Sequence, residues 1–204
     1  MSQPSHPKKE RTFVILKPDT IQRSLVGEIL RRYENMGLKI VGMKMLQADE
    51  DTIWKHYNKD DAWFLKKGSG TVENRKKAGM PVEKEAIEYG KDIIRGAVKY
   101  IQASPVIALV LEGNQAVAIV KKLVGGTEPT TSDVGTIRGD YALDSYAMSD
   151  FDQSRCVRNL VHCTDKVEEA DFEINLWFKK EEMFDYKHIQ DIMLYDINFD
   201  GISE

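Results

Sequence analysis

The order in which short apolar runs alternate with segments at helical spacing limits the fold of this chain more than any other feature. Residues 11–16 form an apolar, β-branched run ended by Lys17-Pro18-Asp19. Proline stops a strand and favours a turn, so the run predicts a strand that delivers Lys17 at its end. Ile21, Leu25, Ile29, Leu30 and Tyr33 then recur at helical spacing, with Gly37 as the closing residue. Residues 38–46 read as a second strand, and 49–57 as a short helix with acidic residues at its start. Between 66 and 81 glycine, lysine and other polar residues replace apolar periodicity, which predicts an exposed insertion. Helical spacing resumes through Ala86, Ile87, Ile93, Ile94, Val98 and Ile101, and Pro105 opens the most apolar strand, 106–111. Asn114 is placed to cap a helix through Val117, Ile119, Val120 and Leu123 that Gly125-Gly126 ends. Residues 127–139 have loop composition, and 141–155 read as a second insertion. A strand over 157–162 ends at His162, Asp165 opens a helix with Val167, Ala170, Ile174 and Leu176 on one side, and a polar tail follows Phe178.

This order matches a split βαβ pair: a ferredoxin-like α+β fold with a four-stranded antiparallel sheet covered by helices. A length of 204 residues suits one domain with additions. The expected organisation is a flexible N-terminus over 1–10, a domain over 11–186 with insertions near 65–95 and 141–155, and a C-terminal extension over 187–204. A net charge of -4 shows no strong sign, so no specific nucleic-acid partner is expected, although a local basic cleft can still hold phosphates. No stretch approaches the roughly 18 apolar residues of a membrane span, and MSQPSHPKKE lacks the apolar core of a signal peptide; a soluble, cytoplasmic protein is expected. Cys156 and Cys163 are read as free thiols. His6, His56, His162 and His188 are scattered without metal-ligand spacing, so no protein-held metal is expected. Neither a GxxxxGK[ST] loop nor a strand-to-helix GxGxxG is present.

The polar residues left at segment ends are Lys17, Arg138, Asn159, His162, Thr164, Asp165 and Glu173. Their spacing alone does not bring them together. FVILKPDTIQRSLVGEIL, GTIRGD and RNLVHCTDKVEEADFEINLWF, with KHY, AVKYI, SPVIALVLEG and GGTEP between them in the same order, resemble the motifs of nucleoside diphosphate kinases. The likeness runs from Arg11 to Tyr186 apart from the two insertions. It implies exchange of the γ-phosphoryl between nucleoside tri- and diphosphates through a phosphohistidine on His162. A neutral imidazole is nucleophilic near pH 7, its ordinary pKa being about 6.5. By the same resemblance Glu173 orients that ring and Thr164 places the carboxylate, while Lys17 and Arg138 hold the transferring group. Thr127 is implied to contact the inner phosphates, Asn159 the ribose, and Tyr57 the nucleotide. Mg2+ is implied as a companion of the nucleotide, and the assembly as a homo-oligomer, a hexamer or a tetramer of dimers.

Three positions depart from the family pattern. Lys121 stands where an arginine usually contacts phosphate, which keeps the charge and loses the bidentate fork. Trp63 stands where a phenylalanine commonly stacks on the base; it either stacks or belongs to the core. Cys163 replaces the glycine after the histidine, adding bulk and a thiol near the site. The first insertion is a candidate nucleotide lid, oligomer contact or surface elaboration. Two other readings are open to such a chain: a member of the same fold that binds nucleotides without turnover, and an RNA-binding ferredoxin-like domain. KIVGMKML and VIALVLE lack the sheet-face aromatic pair that the second needs.

Overall fold

The computed structural model describes residues 9–151, 155–196, 198 and 200. Residues 1–8 of the expected flexible N-terminus, 152–154 of the second insertion, and 197, 199 and 201–204 of the extension lie outside the described residues.

Strand β1 (Lys9–Leu16) runs through the centre of the molecule, followed by the short helix α1 (Pro18–Gln22) and α2 (Val26–Asn35). Strand β2 (Lys39–Leu46), α3 (Glu50–Tyr57), α4 (Asp61–Lys77) and α5 (Ala86–Gln102) lead to β3 (Val106–Asn114). Helices α6 (Ala116–Val124), α7 (Ile137–Tyr141) and α8 (Tyr146–Phe151) precede β4 (Val161–Cys163), and α9 (Val167–Trp177) and α10 (Ile189–Tyr195) close the chain. The four strands form one sheet in the order β2-β3-β1-β4, with every pairing antiparallel. This is the ferredoxin-like arrangement that the element order predicts.

Both faces of the sheet are covered, and that explains why the central strands read as unbroken apolar runs rather than as alternating ones. Successive side chains of a strand point to opposite faces. Phe13, Ile15, Ala108 and Val110 therefore meet Ile53, Ile94, Ile101, Ile174 and Trp177 on one side. Val14, Leu16, Leu109 and Leu111 meet Ile29, Tyr33, Val120 and Val124 on the other. The end of β1 is thus held between two packed layers, and Lys17 leaves it from a fixed point.

Several boundaries differ from the sequence reading. Lys9 and Glu10, assigned to a flexible N-terminus, already belong to β1, where Lys9 faces Asn114 in the register. Asn114 ends β3 instead of capping α6; the residue before α6 is Gln115, left-handed at φ 47 and without a side-chain cap. Strand β4 is shorter than residues 157–162 and carries His162 at its middle, facing Ile15. The second insertion is not wholly irregular, since it contains α8.

The largest difference concerns residues 66–81, read as an exposed insertion without helical periodicity. Most of them lie in the 17-residue helix α4, whose first turn is capped by Asp60 accepting from Trp63 N–H at 2.8 Å. Its glycines lower intrinsic helix propensity, which is why the segment looks like a loop. They are there for packing. A Cβ on Gly68 would sit 1.6 Å from the carbonyl oxygen of Ala86, and one on Gly90 would sit 2.0 Å from that of Phe64. Helices α4 and α5 are therefore pressed backbone to backbone, a contact that only glycine permits at these two positions. The expected C-terminal extension also adds a helix, α10, whose Tyr195 is buried and whose neighbour Asp191 pairs with Lys9 at 3.3 Å.

Candidate active site

Lys17 emerges from the end of β1 as the residue preceding α1, and its backbone N–H donates to Leu160 O at 2.8 Å. The side chain turns inward and is 8% exposed. Its ammonium donates to Asn159 Oδ1 at 2.7 Å and lies 5.7 Å from the centroid of the Tyr100 ring. Burial, with Arg138 nearby, pulls its pKa down to about 8. Asn159 completes a bridge by donating from Nδ2 to Thr127 O at 2.9 Å.

His162 is presented by a tightly turned segment. Val161 N–H donates to Asn159 O at 2.7 Å, closing a three-residue turn around Leu160, which has φ 66. A leucine in the left-handed region is strained and persists only where its surroundings fix it. They do so here: Leu160 N–H donates to Asp19 Oδ2 at 3.1 Å, and Leu160 O accepts from both Lys17 N–H and Thr20 Oγ1. The KPDT segment thus fixes the turn that presents His162.

Behind the histidine, Glu173 on α9 is 6% exposed and accepts from Thr164 Oγ1 at 2.5 Å. Its other oxygen, Oε1, lies 3.3 Å from His162 Nε2, an approach that falls short of a hydrogen bond, so that Nε2 is buried without a partner. Burial raises the Glu173 pKa, opposed by His56 and Thr164. Burial, then the charges of Lys17 and Arg138, pulls His162 down to about 3. The imidazole is therefore neutral throughout the physiological range. With Nε2 facing the carboxylate, Nδ1 is the nitrogen left to act on a substrate.

Arg138, expected to hold the transferring group, is itself held by the main chain. It is buried, and its N–H groups are largely committed to main-chain carbonyls: Nε to Asn159 at 3.2 Å, Nη1 to Gly125 at 3.0 Å and Gly126 at 2.9 Å, and Nη2 to Val161 at 2.6 Å. One Nη2 hydrogen remains for a phosphate. Its contribution toward an anion is thus mainly charge, and its geometric work is to tie the loop after α6 to the turn at Leu160.

The remaining candidates surround this centre less tightly. Tyr57 packs edge-on against His56, centroids 5.3 Å apart. Trp63 lies in the first turn of α4, half-buried against the core, which supports its core reading. Thr127 is exposed, and Lys121 is exposed and paired with Asp165 at 3.0 Å. Cys156 and Cys163 are both free thiols. Burial pushes Cys163 up to about 11, which keeps it protonated and poorly reactive.

Two site neighbours escaped the sequence reading. His56 lies 4.3 Å, centroid to centroid, from His162 at an interplanar angle of 79°, and its Nε2 is 3.9 Å from Glu173 Oε1. Tyr100 lies beneath Lys17. Both fall within the family-like segments KHY and AVKYI, and that is their one mark in the sequence. Burial, then His162, pulls His56 down to about 3 as well.

A model of the nucleoside diphosphate kinase family matches residues 10–67 and 84–183. The chain belongs to the nucleoside diphosphate kinase family. A relative from Pyrobaculum aerophilum named nucleoside diphosphate kinase is 42% identical over 181 residues, spanning 86% of this chain and 98% of that protein. The crystal structure of an NDP kinase from the same organism superposes with a TM-score of 0.82 at 40% identity, covering 87% of this chain and all of that one. The Borrelia burgdorferi kinase, solved as a transition-state mimic with vanadate and ADP, gives a TM-score of 0.76 at 31% identity and covers 92% of this chain and 98% of that one. Residues 68–83, unmatched by the family model, are the later part of α4 and the turn into α5.

The paired depressed histidines give this family member an acid-linked weakness. Each ring stays neutral in the native state down to about pH 3, whereas the unfolded chain protonates near 6.5. The associated stability is complete above 6.5 and is lost as pH falls below it, by about 2 kcal/mol per histidine at pH 5. Urea unfolding at pH 7 and pH 5 is expected to show this loss, and His56→Phe is expected to halve it.

Proposed function

We propose that this chain moves the γ-phosphoryl group of a nucleoside triphosphate to a nucleoside diphosphate by way of a phosphohistidine on His162. The observation that carries the assignment is a neutral His162 with Glu173 Oε1 3.3 Å behind Nε2 and the ammonium of Lys17 among its charged neighbours.

In the first half-reaction the Nδ1 lone pair forms a bond to the γ-phosphorus as the bond to the bridging oxygen breaks. The electron pair leaves with the diphosphate. The ring becomes cationic, and its Nε2–H, facing Glu173, is stabilised by that carboxylate, which Thr164 holds through its hydroxyl. Lys17 neutralises charge on the equatorial oxygens, and Arg138 adds its field and one remaining donor. A nucleoside diphosphate then takes the group from His162 by the reverse displacement, releasing a neutral ring. Thr127, Asn159, Tyr57, Trp63 and Lys121 are assigned, by the family resemblance, to holding the nucleotide.

Mg2+ travels with the nucleotide as part of the substrate. Among the described residues the group able to hold an ion is His56, His162 and Glu173, whose two nitrogens do not suit a hard, oxygen-seeking cation. We assign a homo-oligomer, because β2 is an edge strand that leaves Met43 56% and Met45 58% exposed; light scattering tests this. The two free thiols favour the cytoplasm as its compartment, and among the described residues no helix is long and apolar enough to cross a membrane.

Intact-mass spectrometry at neutral pH after brief exposure to Mg-ATP tests the exchange. One acid-labile phosphoryl per chain, discharged by GDP, is expected; nucleotide binding with no phosphoryl would favour the binder without turnover. The depressed Lys17 pKa adds a second expectation. The cation is present below about pH 8 and lost above it, so kcat/KM is expected to fall as pH rises through that value. Lys17→Arg, which stays charged, is expected to lower activity and remove this alkaline limb; a limb that stays in place would assign it to another group.

A further inference from the structure

The face of His162 turned away from the substrate side meets ligands that phosphoryl transfer does not fully use. His56, His162 and Glu173 each offer one donor atom within 4.8 Å of the others, all three enclosed between α3, β4 and α9. His162 Nε2 is buried without a hydrogen-bond partner. Glu173 Oε1 stands 3.3 Å from that atom and 3.9 Å from His56 Nε2. In a tetrahedral zinc site, with bonds of about 2.0–2.1 Å, donor atoms sit about 3.4 Å apart. Two of the three separations, 3.3 and 3.9 Å, are close to the spacing such an ion imposes; the third lies within 4.8 Å, so an inward movement of His56 completes the set. Two imidazoles and one carboxylate form a donor set suited to Zn2+ and its first-row neighbours and unsuited to Mg2+.

We propose that His56, His162 and Glu173 form a binding site for a divalent transition cation, Zn2+ being the type, and that an ion bound there masks the nucleophile. The masking follows from proton positions. A neutral imidazole has one N–H and one lone pair. For phosphoryl transfer, His162 keeps its hydrogen on Nε2, facing Glu173, and its lone pair on Nδ1. For metal binding the lone pair must be on Nε2, so the hydrogen moves to Nδ1 and the attacking pair is gone. No proton is gained or lost; one tautomer replaces the other. His56 undergoes the same exchange. Its Nδ1 now accepts from Trp177 Nε1–H at 3.3 Å, which puts the ring hydrogen on Nε2. Turning the Nε2 lone pair to a metal places a hydrogen on Nδ1 and forfeits the bond from Trp177. Trp177 is thus a brake on metal loading, and Lys17 and Arg138, both close enough to depress His162, oppose the ion by repulsion. The site is built for reversible occupancy rather than for a permanent structural ion.

The ligand set stands on the geometry, whereas the masking rests on His162 being the phosphorylated residue, so two readouts are needed. Co2+ titration of the full chain reports the first, through the intense visible bands of a tetrahedral nitrogen–oxygen site. They are expected with wild type, absent with His56→Phe, and at least tenfold tighter in midpoint with Trp177→Phe, where the competing donor is removed. Bands that fail to form with wild type, or that persist in a folded His56→Phe protein, would overturn the site; a structural role for Trp177 alone would not tighten binding. The second readout is phosphorylation by phosphoramidate, a small donor that leaves ammonia and does not carry the metal as ATP does. Saturating Zn2+ is expected to lower the phosphohistidine mass signal at least tenfold in wild type and less than twofold in His56→Phe. An unmasked reaction in Co2+-loaded wild type would overturn the masking, while a chain that phosphoramidate never phosphorylates would instead place the failure in the proposed function.

Discussion

Replacing His162 with alanine is expected to abolish the phosphoenzyme and to lower nucleotide exchange by at least about four orders of magnitude, a loss of roughly 5.5 kcal/mol of transition-state stabilisation. The size follows from the way the site divides its labour. Lys17 and Arg138 supply charge, Glu173 and Thr164 supply orientation, and none of them carries a nucleophilic lone pair that replaces an imidazole. Among the described residues the other imidazole at hand is His56, 4.3 Å away, and it is ill placed to substitute. Its side chain is 1% exposed, its Nδ1 faces Trp177, and its Nε2 faces Glu173, so neither nitrogen looks toward an incoming phosphate. The variant should still bind nucleotide, because the groups that hold phosphate are untouched. Single-turnover transfer from labelled ATP, in protein freed of host kinases, measures the loss; a decrease smaller than about a hundredfold would move the nucleophile to another residue.

How much of this was legible in the sequence depends on how each residue is fixed. Lys17 was readable because a proline after an apolar run marks a strand end, and the structure has β1 end at Leu16. Central strands β1 and β3 were readable because burial on both faces leaves an unbroken apolar run. The meeting of Lys17, Asn159, His162, Thr164 and Glu173 was not readable from spacing, since it depends on β4 pairing beside β1 across more than a hundred residues of chain. Only the family motifs supplied that step. Arg138 shows a subtler limit: its type and motif indicate an anion partner, yet its N–H groups are mostly occupied by carbonyls, which no residue pattern encodes. His56 is hidden in the sequence because histidines scattered along a chain look unrelated, although α3 and β4 bring two of them into contact.

Gly90→Ala is expected to destabilise the protein by about 3 kcal/mol or more, because overfilling a close-packed contact commonly costs about 1–3 kcal/mol and here the obstruction is rigid. The added Cβ would lie 2.0 Å from Phe64 O, 2.6 Å from its carbonyl carbon and 2.7 Å from its Cα, all main-chain atoms with no rotamer to yield. Gly68→Ala meets Ala86 O at 1.6 Å and should behave alike. Helices α4 and α5 must separate, and the contacts of buried Phe64 and Tyr89 loosen with them. Gly70 supplies the control, since nothing lies within 4 Å of its Cβ position. Gly70→Ala in the same helix should stabilise by about 0.5–1 kcal/mol, the ordinary gain in helix propensity. Thermal unfolding therefore separates the variants by sign: roughly 6–12 °C lower for Gly90→Ala and about 1–4 °C higher for Gly70→Ala. Equal or raised midpoints for both would mean that the two helices do not touch where their glycines oppose. The consequence also reaches the site, because Trp63 begins α4 and Tyr100 lies late in α5 under Lys17. A splayed hairpin should raise KM for nucleotide while leaving the neutral His162 and its carboxylate, which stand on β4 and α9, able to form the phosphoenzyme.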